Sequence, residues 1–360
     1  DGRTFCLAGA FGLSAQCDLR KAFSVNWVRS CRLLSRGLVL ACVLGVQAWV
    51  PAIAQENSVS AWLTRLHEAS KHRTYTGTFV VSAGTQMASA KIWHVCEGEQ
   101  QLERIEPLSG TPRTTFRRNS EVLTLFPTAK VGIAETREAT SLFPGLLKSK
   151  GADLDEFYSL KTMASERLAG VDADVVHIQA KDGLRYGYRV WSEKKTGLVI
   201  QLQTLDVDGK TLEQSAFSEL NMDAQVSSAK LNQMMGQTEG YRIERRTTEK
   251  TSAAAQGWAM NGGVPGFKPG GCYIRPVALL AGASGKTDTS MQWMFSDGLA
   301  TVSLFVERFD PSRHVQVGVA DLGGATRTQT RKLGNWWITA VGEVPAGTLA
   351  VFTQALERKK

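Results

Sequence analysis

The sequence predicts a mostly β protein of the α+β class, in which antiparallel strands form two successive domains. Strand-like segments rich in β-branched and aromatic residues recur with turn residues between them, at a spacing of roughly 8–12 residues. Helical periodicity is confined to short segments, one near Trp62 and one near Leu349. The chain has 360 residues, too many for one ordinary domain and suitable for two.

The first predicted domain, residues 55–225, opens with a helix and continues as a meander. Ser58 is a typical N-cap, and the apolar residues that follow it share one helical face: Trp62, Leu63, Leu66 and Ala69. The strands predicted next are Tyr75–Ser82, Met87–Val95, Gln101–Glu106, Arg113–Arg118 and Glu121–Phe126. After a less regular stretch over 139–164, Asp-Gly and Lys-Thr-Gly turns predict hairpins from four further strands: Val175–Ala180, Leu184–Trp191, Leu198–Asp206 and Thr211–Leu220.

Residues 226–256 are predicted to be a linker, because they are polar, small or charged and show little periodicity. The second predicted domain, residues 257–360, is smaller. Its predicted strands are Met291–Phe295, Leu299–Phe309, Val315–Val319, Thr326–Leu333 and Trp337–Val341. A helix is predicted to close the chain, with Pro345 suiting its first turn.

An export signal is predicted in residues 1–54. Arg29, Arg32 and Arg36 form a positive n-region, and Gly37–Val50 is an apolar stretch too short for a usual membrane span. Small residues at Ala52 and Ala54 predict cleavage after Ala54 and export to the periplasm, and an uncleaved N-terminal anchor is the alternative. Residues before about Val25 fit neither a signal peptide nor a domain, so we expect them to be upstream translated sequence.

Cleavage at this position removes four of the six cysteines and leaves Cys96 and Cys272. They fall in different predicted domains. We therefore expect two buried thiols, while a mutual disulfide remains the open alternative that a periplasmic location permits.

The composition argues against a nucleic-acid partner. The formal charge is +8, and about half of that surplus lies in the first 54 residues. The remaining surplus is small and not concentrated, whereas a nucleic-acid-binding face requires clustered Lys and Arg.

No catalytic residue, metal site or cofactor is predicted. His67 and His72 resemble a zinc-protease pair, but their spacing of five residues turns the second imidazole away from the first. Ser227-Ser228-Ala229-Lys230 and Lys195-Thr196-Gly197 occur in the reverse of the order that penicillin-recognising enzymes require. The remaining histidines are expected to be structural, and we predict that the protein is not an enzyme.

Binding features remain. Large apolar residues lie on successive strands of the first domain, and a curved sheet of this kind can leave an apolar concavity. The candidate lining for a lipid-type ligand is Phe79, Trp93, Phe116, Leu123 and Phe126. The alternative is that these residues simply fill the core.

The chain resembles the RseB/MucB regulators over nearly all of its predicted mature length. The resemblance is carried in the first domain by Trp62–Val81, Ile92–His94, Leu102–Arg104 and Asp206–Glu219, and in the second by Gly266-Phe267, Phe295–Glu307 and Val341–Thr348. The resemblance implies a large, incompletely closed β-barrel like that of lipoprotein carrier proteins, and a small sheet with a packed helix.

The resemblance also implies a function. Regulators of this family bind the periplasmic region of a single-pass anti-sigma factor and shield it from proteolysis, so that a sigma-E-type envelope-stress sigma factor stays inactive. A lipid or lipopolysaccharide signal is expected to release the complex. A lipid or lipoprotein carrier is one alternative, a periplasmic hydrolase whose nucleophile and base cannot be named is the other, and homo-oligomer formation stays open.

Partner contacts are predicted mainly on the second domain and on the face that it turns to the first. Ser296-Asp297-Gly298 predicts a tight turn. In the strand after it, Val302, Leu304 and Val306 are expected to face the core, leaving Phe305 on the other face. The candidate partner residues are Ser296, Asp297, Gly298 and Phe305.

Overall fold

The computed structural model describes residues 58–136, 153–276 and 289–359. The predicted signal peptide and its cleavage site lie outside these ranges. Within them the fold is mostly β, as predicted. The helices of the described ranges are α1 (Val59–Lys71), α2 (Leu154–Phe157), α3 (Ser228–Gly236) and α4 (Ala346–Ala355).

The larger sheet begins with a meander, as the sequence predicts. Its first six strands are β1 (Tyr75–Ala83), β2 (Gln86–Glu97), β3 (Gln100–Pro107), β4 (Thr114–Arg118), β5 (Glu121–Phe126) and β6 (Val131–Thr136). The other strands of this sheet are β7 (Tyr158–Thr162), β8 (Glu166–Leu168), β9 (Val171–Ala180), β10 (Gly187–Glu193), β11 (Val199–Leu205), β12 (Thr211–Asn221) and β13 (Arg242–Arg246).

The order of this sheet is β13-β6-β5-β4-β3-β2-β1-β12-β11-β10-β9-β7, with β8 paired to β9. Neighbouring strands are antiparallel except β13, which runs parallel to β6. The two ends of this order do not pair with each other among the described residues, so the sheet is not closed. This agrees with the predicted incompletely closed barrel.

Helix α1 packs on the face of β7, β9 and β10. Ser58 is its N-cap and accepts a hydrogen bond from the Ala61 amide, as predicted. Trp62, Leu63 and Leu66 are buried in a cluster with Val176 and Ile178 of the sheet and Leu154 of α2. The predicted apolar face of this helix is therefore a packing face.

The segment predicted as a linker, residues 226–256, is folded over part of its length. It contains α3, β13 and β14 (Glu249–Thr251). Leu231 of α3 is buried with Val95 and Leu102, so the helix covers one face of the meander. Strand β13 belongs to the larger sheet and β14 to the smaller one. The chain passes between the sheets at Thr247-Thr248, and the domain bounds remain predictions.

The smaller sheet has the order β14-β16-β17-β18-β21-β20-β19. Its remaining strands are β16 (Lys268–Pro276), β17 (Thr289–Ser296), β18 (Thr301–Arg308), β19 (Gly318–Asp321), β20 (Arg327–Leu333) and β21 (Trp336–Gly342), and β15 (Trp258–Met260) pairs with β22 (Leu356–Arg358) beside it. Leu349 and Phe352 of α4 are buried against this sheet with Leu304, Ile338 and Ala340.

Several predicted elements differ from the structure. Strands β6 and β16 were not predicted. Gly132 interrupts the apolar pattern of β6, and two glycines and two prolines interrupt that of β16. Val315 and Val317 precede β19 and are exposed. Asp182-Gly183 does not form a two-residue hairpin turn: β9 ends at Ala180 and β10 begins at Gly187. The loop between them is longer because it buries Arg185.

Candidate functional site

The two sheets meet at a buried arginine. The side chain of Arg185 is fully buried, and its Nη1 donates to Asp297 Oδ2 at 3.0 Å. Its Nη2 donates to the carbonyl oxygen of Pro265 at 2.6 Å, and its Nε donates to Asp182 Oδ1 at 3.1 Å. The guanidinium lies over the ring of Phe157, 4.4 Å from its centroid. Each guanidinium nitrogen thus donates a hydrogen bond to another group of this chain.

The carboxylate of Asp297 is also fully used. Its Oδ1 accepts from the amides of Leu299 and Ala300 at 2.9 and 2.8 Å, and its Oδ2 also accepts from the Tyr158 hydroxyl at 2.8 Å. Burial raises the pKa of Tyr158 well above its usual value, so this hydroxyl stays protonated and donates. These hydrogen bonds offset the free-energy cost of removing the two charges of the ion pair from water.

These contacts locate the first three candidate partner residues. Ser296, Asp297 and Gly298 form the predicted turn, in which Ser296 Oγ accepts from the Gly298 amide at 3.0 Å. Asp297 and Gly298 are buried where the turn meets the larger sheet. A partner contact by Asp297 or Gly298 therefore requires the sheets to separate, whereas Ser296 is half-buried, and the assignment stays a prediction.

Phe305, the fourth candidate, lies apart from that turn. Val302, Leu304 and Val306 face the core, as predicted, and Phe305 is half-buried on the opposite face of β18. It lines a cleft of about 600 Å³ between the sheets. The other lining residues are Glu244, Arg246, Thr247 and Thr248 from the segment that joins the sheets, and Arg275, Pro276, Ser290, Glu307 and Thr339 from the smaller sheet. The cleft combines one aromatic side chain with charges of both signs.

The five candidate lipid-binding residues lie on two faces of the larger sheet. Phe116 and Leu123 are buried together under α3, and Trp93 packs near them against Leu231. Phe79 and Phe126 lie on the opposite face, because side chains alternate between the two faces along a strand. Phe79 pairs with Ala90, three positions before Trp93 on β2, and Phe126 is three positions after Leu123 on β5. The structure therefore brings Phe116 and Leu123 together but does not gather all five around one cavity.

The face opposite α3 carries its own cavity. Phe126 lines a space of about 430 Å³ with Ile105, Pro107, Ile133 and several polar residues: Arg113, Thr115, Thr124, Glu135 and Arg246. Phe79 lies further along the same face and packs edge-on against Phe217. The role of these residues in ligand binding remains a prediction.

Two features were missed by the sequence analysis. Arg185 was assigned to a strand, and no local pattern marks it as buried. His94 was expected to be a structural histidine, and it is buried beside Glu103; its contact with Cys96 Sγ at 3.5 Å was not foreseen. Cys96 is half-buried rather than buried, and neither Cys96 nor Cys272 is in a disulfide.

The described ranges hold neither a group of metal ligands nor a helix that could span a membrane. Across them, no group of three or more His, Cys, Asp or Glu side chains is placed to hold a metal ion. Over the same part of the chain, no helix has the length and apolar character needed to cross a membrane.

Comparison with known proteins identifies the family. Residues 58–235 match the model of the MucB/RseB N-terminal domain, and residues 252–357 match that of the MucB/RseB C-terminal domain. The sigma factor AlgU regulatory protein MucB of Pseudomonas aeruginosa is 29% identical over 322 residues, which cover 86% of this chain and 93% of that protein. The sigma-E factor regulatory protein RseB of Escherichia coli is 24% identical over 80% of this chain and 87% of its own length.

Solved structures agree on the fold. The Pseudomonas aeruginosa MucA/MucB complex has a chain that superposes with a TM-score of 0.62 at 24% identity, covering 84% of this chain and 99% of that one. A crystal structure of MucB superposes with a TM-score of 0.57 at 22% identity, covering 83% and 98%. Since the two family models match consecutive parts of the chain in the order of the two sheets, the chain belongs to the MucB/RseB family.

Proposed function

We propose that this protein is an exported regulator that binds the periplasmic region of a membrane-bound anti-sigma factor, shields it from proteolysis and releases it on a lipid-type signal. The observation that carries the proposal is family membership over both domains. A relative covered over 93% of its length is named sigma factor AlgU regulatory protein MucB, and a solved structure shows MucB in complex with the periplasmic region of MucA. The proposal carries no catalytic step.

The cleft around Phe305 is the proposed partner site. It lies where β13 and β14 bring the two sheets together, and it offers an aromatic anchor beside Arg246, Arg275 and Glu307. Aromatic anchors in partly desolvated clefts contribute a large share of binding energy. The mixed charges suit a polar, extended peptide better than an acyl chain.

A pull-down with the periplasmic segment of the cognate anti-sigma factor tests this proposal. We expect Phe305→Ala to weaken binding by roughly tenfold or more, as for a central anchor. Leu322→Ala is the matched control, because Leu322 is 63% exposed beyond the opposite edge of the same sheet. Equal binding by both variants and the unchanged protein would remove the cleft from the proposal.

Protection from proteolysis is measured separately. The anti-sigma segment is incubated with its site-one protease, with and without this protein. We expect cleavage to slow in proportion to the fraction bound. Binding without any change in the cleavage rate would support the partner interaction but contradict protection from proteolysis.

The proposed lipid-type ligand site is the cavity beside Phe126, on the face of the larger sheet opposite α3. Phe126 lines this cavity, whereas Phe116 lies in the core under α3. Phe126→Ala is expected to weaken binding of a fluorescent acyl probe severalfold, and Phe116→Leu is expected to leave it nearly unchanged. The reverse ranking would move the ligand to the α3 side of the sheet.

A further inference from the structure

Three side chains of the meander form a chain of contacts on the face opposite α3. His94 Nδ1 lies 3.0 Å from Glu103 Oε1, and His94 Nε2 lies 3.5 Å from Cys96 Sγ. The arrangement follows from strand geometry. His94 and Cys96 are two positions apart on β2, and Glu103 is the direct partner of His94 on β3, so all three side chains leave the same face.

Neighbouring groups hold the imidazole in place. The ring of Tyr75 on β1 stacks on His94, with centroids 5.0 Å apart. Arg117 on β4 places its Nη1 3.8 Å from Glu103 Oε2. Glu103 therefore holds one ring nitrogen of His94, and the other ring nitrogen is directed at the sulfur.

The imidazole of this cluster is charged at neutral pH. Burial lowers the pKa of His94, but hydrogen bonds with Cys96 and Glu103 outweigh it and raise the pKa from 6.5 to about 9. Burial raises the pKa of Glu103, and the hydrogen bond with His94 together with the charges of His94 and Arg117 lowers it below 4.5 on balance. The pair is thus an imidazolium and a carboxylate.

Cys272 offers the contrast within the same chain. It is 4% exposed in the core of the smaller sheet, and burial raises the pKa of its thiol. Cys96 is half-buried and lies beside a cation. A thiolate is the reactive form of cysteine, and an adjacent imidazolium favours it.

We propose that Cys96 is a reactive thiol that exchanges with small disulfides, with His94 stabilising the thiolate and Glu103 positioning His94. The Cys96 thiolate attacks one sulfur of a disulfide RS–SR. A new S–S bond joins Cys96 to one RS group, the original S–S bond breaks, and the other group leaves as RS⁻. The Cys96 sulfur is oxidised and the leaving sulfur is reduced, so no further oxidant is needed.

The position of the thiol suggests a consequence. Cys96 lies on the same face as Phe79 and Phe126, where we place the lipid-type ligand. An RS group attached there occupies part of that face. The exchange itself does not depend on the proposed regulatory function, so either proposal can fail alone.

The test measures exchange at each cysteine in the intact protein. Hydroxyethyl disulfide, a neutral probe, is added over a time course, the reaction is quenched with acid, and mass spectrometry follows the adduct on each cysteine-containing peptide. Because the readout is peptide-specific, the other cysteines do not interfere. At about pH 7 we expect Cys96 to react at least about tenfold faster than Cys272.

Two variants separate the cluster from simple exposure. His94→Gln keeps a polar side chain but removes the cation, and we expect it to slow Cys96 by roughly tenfold. Glu103→Gln removes the group that positions His94 and is expected to slow Cys96 in the same direction. Glu106→Gln is the matched control, because Glu106 lies on β3 but pairs with Arg104 on the other face.

The pH profile excludes a merely structural role. The reaction rate of Cys96 is expected to rise less between about pH 6 and pH 8.5 in the unchanged protein than in the His94→Gln variant. Circular dichroism verifies that the variants are folded. If His94→Gln does not fold, Glu103→Gln and the profile of the unchanged protein decide the matter. Rates and profiles that do not differ between the folded variants and the unchanged protein overturn the proposal.

Discussion

The charge pair of Arg185 and Asp297 joins the two sheets. Both side chains are fully buried, and each is held by further hydrogen bonds from its own surroundings. Removing one partner of a buried pair leaves the other charge without compensation, at a cost far above that of an exposed pair. The pair therefore sets which surfaces of the two sheets can stay in contact.

Replacing Arg185 tests this contribution. We expect Arg185→Met to lower the free energy of unfolding by about 3–5 kcal/mol, since Asp297 stays buried without its cation. Arg118→Met is the control, because Arg118 is 43% exposed in its pair with Glu121 and is expected to cost no more than about 1 kcal/mol. Urea unfolding measures both, and similar losses would contradict the importance assigned to burial.

Stability should depend on pH through His94. Because its folded pKa of about 9 exceeds the unfolded value of 6.5, its contribution is complete below pH 6.5 and is lost as the pH rises through about 9. Glu103 affects stability in the opposite direction, because its pKa is lowered on folding: its stabilising contribution is present above about pH 4.5 and is lost as the pH falls. We expect the stability lost on His94→Gln to be largest near pH 6 and to shrink by up to roughly 3 kcal/mol toward pH 10. A difference that is constant over this range would contradict the charged state of the cluster.

At the scale of elements, a loop of the second domain is fitted closely to helix α2 of the first. Gly266 has a φ of +83°, and a Cβ there would lie 2.6 Å from the ring of Phe157. The same ring carries the guanidinium of Arg185. The loop, the helix and the Arg185–Asp297 pair therefore meet at the ring of Phe157. Gly266 is required there both because its φ is positive and because a side chain would collide with that ring.

Two glycine variants separate these requirements. Gly266→Ala is expected to cost about 1 kcal/mol for the positive φ and roughly 1–3 kcal/mol more for displacing Phe157. Gly262 has a φ of +88° with open space around it, so Gly262→Ala pays only the first cost. Thermal unfolding should rank the two variants in this order. Equal losses would show that Phe157 moves aside freely.

At the scale of the whole molecule, apolar side chains cross the junction in both directions. Leu299 of the smaller sheet's turn belongs to the cluster beneath α1, and Leu184, in the loop between β9 and β10, packs against the core of the smaller sheet. Thr348 Oγ1 of α4 also donates to the carbonyl oxygen of Leu184 at 2.6 Å. The described residues belong to one compact unit, consistent with these contacts.

We expect this junction to couple the unfolding of the two sheets. Calorimetry of the unchanged protein should show one transition whose calorimetric and van't Hoff enthalpies agree. Leu299→Ala opens a cavity at the junction and should broaden or divide that transition while lowering its midpoint. Two well-separated transitions in the unchanged protein would indicate independent domains.

What the sequence alone determined is local. The Ser58 cap, the alternation of Val302, Leu304 and Val306, and most strands of the meander follow from periodicity and turn chemistry within a few residues. The mostly β class and the two successive sheets follow from the same signals. The family resemblance added the incompletely closed form of the larger sheet.

Tertiary structure decided every contact that joins distant residues. Arg185 and Asp297 are 112 positions apart, and nothing near either one marks it as the partner of the other. The parallel pairing of β13 with β6 and the position of Glu103 opposite His94 depend on which strands meet and in what register. Likewise, the five candidate lipid-binding residues divide between two faces because side chains alternate along paired strands. Local patterns do not encode register between separate strands, so this division appears only once the sheet has formed.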